Sequence, residues 1–262
     1  EQAWQLGLKH KELYLAIDAA HMIAIAAPLE EQSRWNLLAM ELAERSQDKQ
    51  VRGWLATLYN NQGWTLFELG RFDEAKGFQQ KCLAWHEQHN NQAKAFIARW
   101  SLARLSRAQG QHEQAHAELT QLKDDIAAAG APEDGYVFEE LGENALVLSD
   151  PAAAEYFARA WFLLSQDGWL RANGAERLAR LKEAEEAAQS SVFFQTSSAR
   201  NSNIASGGGA QLDGATSRQL SRRSPLSPNS NQRIQVACAP CVERLLFRAI
   251  ETKCDRFNGE AS

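Results

Sequence analysis

The sequence predicts an all-α protein built from stacked helix pairs. Three observations carry that expectation. A pattern recurs with a period near forty residues: Gly70 falls on Gly110, Ala75 on Ala115 and Gly63 on Ala103. The apolar residues between these landmarks follow helical rather than alternating spacing. No stretch reads as a strand. Self-similarity at such a period means stacked supersecondary units, each burying its apolar face against the next.

Taken in order, the helices are expected near 10–27, 29–46, 51–69, 72–89, 92–109, 112–129, 134–148 and 151–166, making four antiparallel hairpins. Leu55, Leu58, Tyr59, Leu66 and Leu69 set the inner face of the third helix. Gly70 ends it, because glycine accepts the left-handed conformation that a C-terminal cap requires. Asp73 and Glu74 then place negative charge on the first turn of the next helix, where the macrodipole favours it. Ala75, Phe78, Cys82 and Trp85 form that helix's inner face. A ninth helix near 174–188 carries only a narrow stripe, Leu178 and Leu181, amid charge. It reads as the polar cap that keeps a terminal repeat soluble.

Composition divides the chain at residue 189. Residues 1–189 hold all eight Trp and all six His, with 19 Lys/Arg against 28 Asp/Glu. Residues 190–262 carry 9 basic against 5 acidic residues, diluted in Ser, Gly and Asn. The first segment reads as a helical repeat domain. In the second, 190–235 has too little apolar surface to offset the entropy of ordering and is expected to be disordered, while Val236 to Phe257 regains enough periodicity for a short helix. The acidic domain carries no electrostatic footprint for specific nucleic-acid binding. Ala16 to Leu29 is too short and too polar to span a bilayer. Cys82 stands alone as a small buried apolar residue, which fits a reducing, cytoplasmic compartment.

Tyr59 to Ala75 resembles a tetratricopeptide repeat: a small residue late in the first helix (Gly63), a Gly70-Arg71-Phe72 turn and an early Ala in the second helix (Ala75). Ala39-Met40-Glu41-Leu42 resembles the end of a preceding repeat. Gly110 to Ala115 resembles the next turn, and Leu141-Gly142 with Ala154 a fourth. The period is longer than the usual 34 residues, which is similar to the long-helix variety of bacterial signalling proteins. Ser149-Asp150-Pro151 lacks the turn glycine, and Trp35 stands near where a small residue is expected. The resemblance implies a right-handed α-solenoid of about four hairpins with a capping helix. It implies a non-catalytic scaffold that binds a protein or peptide, with no cofactor, along a concave groove lined by the first helix of each pair. The groove positions are His21, with Asp18, then Asn60, Asn61 and Trp64, then Trp100, Arg104 and Arg107, then Glu139, Glu140 and Glu143. Trp and Arg are common interface anchors, and an acidic partner segment is expected at Arg104 and Arg107. The alternative is a sensor domain belonging to a larger signalling chain.

Other motifs weigh less. His112-Glu113-Gln114-Ala115-His116 matches the H-E-x-x-H zinc signature and would make a hydrolase. The repeat register instead puts His112 in a turn and His116 on a solvated surface, so no metal is expected there. Cys238, Cys241 and Cys254 offer three thiols where a structural zinc wants four ligands.

Overall fold

The computed structural model describes residues 1–205, with side chains to Ser190. Every element in this range is a helix. They are α1 (Gln2–His10), α2 (Leu13–Ala26), α3 (Leu29–Arg45), α4 (Lys49–Gly53), α5 (Leu55–Glu68) and α6 (Phe72–Gln88). After these come α7 (Gln92–Ala108), α8 (His112–Ala128), α9 (Gly135–Val147), α10 (Ala153–Leu164), α11 (Gly168–Asn173) and α12 (Ala175–Ala205). Neighbours in sequence are neighbours in space: each long helix packs on the one before and the one after, with α12 on α10.

The turns explain the period. Gly70, Asn90, Gly110, Gly130 and Ser149 all take left-handed φ, between 52° and 77°. At each, the next residue's N–H returns to a carbonyl five positions earlier: Arg71 to Leu66, Asn91 to His86, Gln111 to Ser106, Ala131 to Ile126 and Asp150 to Ala145. This is the Schellman arrangement, spaced by about twenty residues, so two such halves make the forty-residue repeat. Ser149 occupies the same conformation as the glycines, which is why the turn persists without one.

Small residues let the helices approach. Ala75 and Ala115 are fully buried. A Cβ on Gly63 would lie 2.6 Å from Gln79 Nε2, and one on Gly142 would lie 2.8 Å from the Phe157 ring. The large cluster around Trp100, Leu119, Leu141, Phe157 and Leu181 forms the core of the C-terminal half. A second, around Ile17, Trp35 and Leu58, forms that of the N-terminal half.

Four sequence expectations change. The chain gains a helix before the first expected one, because Lys11 (φ 59°) breaks α1 from α2. Trp4 of α1 meets Trp35 edge-on at 5.8 Å, so the bulky residue at 35 fills space that α1 leaves. The expected helix 51–69 is two, α4 and α5, joined at Trp54. The expected ninth helix, near 174–188, is α12, which continues to Ala205. The rest of the tail, with Cys238, Cys241 and Cys254, lies outside the described residues.

Candidate functional site

Glu139, Glu140 and Glu143 sit on α9, at spacings of one, three and four residues, so they share one side of that helix. Arg104 and Arg107 reach them from α7, and Arg177 and Arg180 from α12. These seven side chains line a cavity of about 390 Å³. Positive charges outnumber negative ones by one.

Each contact is specific. Arg107 donates to Glu140 through Nε at 2.5 Å and Nη2 at 3.0 Å, a two-pronged pair. Arg177 donates to Glu139 Oε2 through Nε at 2.9 Å and Nη2 at 2.6 Å. Arg180 bridges Glu139 and Glu143. Arg104 Nε lies 3.6 Å from Glu140 Oε1. Its guanidinium covers the Trp64, Phe67 and Trp100 rings at 5.1, 5.4 and 5.6 Å. Arg177 likewise covers Tyr136 at 4.8 Å. Glu139 and Glu140 are only 4% and 3% exposed. Arg180, at 49% side-chain exposure, is the cation most open to solvent. Burial lowers the Arg107 pKa, but the hydrogen bond and charge of Glu140, helped by Glu143 and Glu139, more than offset it and raise it. Asp134 accepts from the Tyr136 N–H at 2.8 Å and caps α9, with burial holding its own pKa up.

The expected groove residues form a strip rather than a single pocket. At one end Asn61 Nδ2 meets His21 Nδ1 at 3.1 Å. In the middle Trp64 and Trp100 pack with centroids 5.8 Å apart, and Trp100 Nε1 donates to the Tyr136 carbonyl at 3.1 Å. Both indoles are buried, at 7% and 8% exposure, so they shape the strip more than they offer contact area. Arg104, Arg107, Glu139 and Glu143 converge at the far end. Asn60 departs from the strip: it faces a separate cavity between α5, α6 and α7. The Arg107–Glu140 pair is shielded on its acidic side, because Glu140 is buried.

Arg177 and Arg180 were not among the expected groove residues. Their spacing of three matches the Glu139/Glu143 spacing of four, a complementarity visible in the sequence only once the helices are known to face each other.

The H-E-x-x-H residues lie wholly within α8, not across a turn. His112 Nδ1 faces Asn144 Oδ1 at 3.1 Å. His116 is partly buried rather than solvated. It packs edge-on against Tyr156 at 6.0 Å, with Nε2 3.9 Å from Asp150. Among the described residues no group of three or more His, Cys, Asp or Glu is placed to hold a metal, and no helix is long and apolar enough to cross a membrane.

No family model matches the chain, and no curated protein matches it. Among solved structures, the chain is similar to the crystal structure of BtubC (BKLC) from P. vanneervenii, with a TM-score of 0.59 at 15% identity. The match covers 85% of this chain and 94% of that one. At this identity the likeness is one of fold alone.

Proposed function

We propose that the chain is a non-catalytic scaffold of tetratricopeptide type, a right-handed α-solenoid that binds a protein segment along its first-helix strip. The observation that carries this reading is the strip itself. His21, Asn61, Trp64, Trp100, Arg104 and Arg107 come from α2, α5 and α7, and lead into the arginine-rich cavity on α9. The first helices of successive pairs, placing hydrogen-bonding and charged groups in a row over buried indoles, suit an extended ligand better than a compact one. The excess positive charge favours a carboxylate-bearing partner, held by charge-assisted bonds.

Arg180 is the residue to test, because its exposure lets it change partner without disturbing the core. The full chain and its Arg180→Glu variant are compared as baits, with circular dichroism confirming that both fold. Arg45→Glu, on a remote surface where Arg45 is 77% exposed, serves as the control. The partner retained by wild type and by Arg45→Glu is expected to be lost with Arg180→Glu. Equal retention by a folded Arg180→Glu removes the cavity from the binding site.

A further inference from the structure

A second cavity, of about 170 Å³, lies between α5, α6 and α7, away from the arginine cluster. It is smaller than the roughly 300–1,000 Å³ of drug-sized pockets. Its lining contains no acidic side chain, although the surrounding domain is strongly acidic. Lys94 is its only cationic lysine or arginine, and Lys94 makes no ion pair among the described residues. Trp85, Ile97 and Ala56 supply an apolar wall.

His86 lines the same cavity and is 7% exposed. Its Nδ1 is buried and makes no hydrogen bond. Burial first, then the charges of Lys94 and His89, push the His86 pKa down to about 4. The ring is therefore neutral near pH 7, and the ring nitrogen that carries its proton is a donor. Lys94, which lines the same cavity, supplies a second, charged donor.

We propose that this cavity binds a small organic monocarboxylate, with Lys94 and His86 holding the carboxylate and Trp85, Ile97 and Ala56 covering its apolar part. Cys82 lies one helical turn before His86 and also lines the cavity, yet the ammonium of Lys94 makes the site inhospitable to a metal cation. A neutral ligand would leave that ammonium unmatched. A dicarboxylate would bring a second charge into an apolar wall.

The probe is benzoate, with benzamide as its neutral counterpart, titrated into the full chain carrying ¹⁵N-labelled histidine. The His86 ring signals are assigned through His86→Gln. Benzoate is expected to shift them saturably, and benzamide not. Lys94→Met is expected to weaken benzoate binding by about tenfold or more, the loss of one charge-assisted hydrogen bond, while Arg45→Gln leaves it unchanged. Three results would each overturn the proposal: no saturable shift, an equal response to benzamide, or wild-type affinity in Lys94→Met. None of them bears on the protein-binding strip, whose test uses a different residue and readout.

Discussion

Replacing Glu140 with Gln separates stability from binding. Glu140 is 3% exposed and accepts two hydrogen bonds from Arg107, at 2.5 and 3.0 Å. Glutamine keeps the shape but removes the charge and turns one oxygen into an NH₂ that faces a donor. Breaking a fully buried ion pair costs about 3–5 kcal/mol. Arg107 retains 28% side-chain exposure, so water can solvate part of the orphaned guanidinium, and about 2–3 kcal/mol is the better figure. For a folded region of this size each kcal/mol moves the melting temperature by about 2–4 °C. The expected loss is therefore about 4–12 °C, read by circular dichroism. Binding should move the other way. The cavity's excess positive charge doubles, so a deca-glutamate peptide labelled for fluorescence anisotropy should bind Glu140→Gln more tightly than wild type. An unchanged melting temperature would mean that the Arg107–Glu140 pair does not form in solution. A variant that loses stability and also binds the peptide more weakly would refute the assignment of these arginines as ligand groups.

Two further outcomes follow from the packing. Gly142→Ala drives a Cβ to 2.8 Å from the ring of fully buried Phe157. Overpacking of this kind costs about 1–3 kcal/mol, against a helix-propensity gain of about 1 kcal/mol. A net loss is expected in urea denaturation, partly recovered by adding Phe157→Leu, and a more stable Gly142→Ala would show the α9–α10 approach to be looser than described. His86 sets an acid limb to stability. The unfolded chain takes up its proton near pH 6.5, the native chain only near pH 4. Unfolding therefore binds the extra proton between these values, and stability falls as pH drops below 6.5. At pH 5 this one group costs about 2 kcal/mol, so the acid-induced shift in urea midpoint should shrink in His86→Gln; equal shifts in both proteins would rule His86 out as the source.

The helices that the sequence makes legible are those with local signals. The turn at Gly70 announces itself through glycine, and the acidic first turn after it confirms the restart. Ser149 is harder to read, since a serine rarely takes a left-handed φ, and only the spacing of its neighbours hints at the turn. Helix α11 escapes because it is six residues long and opens with a glycine. Its cap, Asp167 accepting from the Trp169 and Leu170 N–H groups, is the signal that could have revealed it. In the strip, Arg104 and Arg107 are legible from repeat register, because register says which helix face is which. Arg177 and Arg180 are not, because their partners lie 37 to 41 residues earlier and no repeat copy exists against which to align them.

That same separation explains why the array does not end at α10. Glu139 and Glu140 are buried together on one turn of α9, and Arg107 and Arg104 from α7 pair with Glu140. Glu139 forms its ion pairs with Arg177 and Arg180 of α12. Without that helix Glu139 would be a buried carboxylate stripped of both of these partners, and an uncompensated buried charge is strongly destabilising. Leu181, fully buried in the C-terminal core, fixes α12 in the register that brings Arg177 and Arg180 over Glu139. The narrow leucine stripe and the two arginines are thus parts of one device: the leucines seat the helix, and the arginines make the buried acids of α9 tolerable. The cavity between them is what remains accessible of that arrangement, with Arg180 at its mouth.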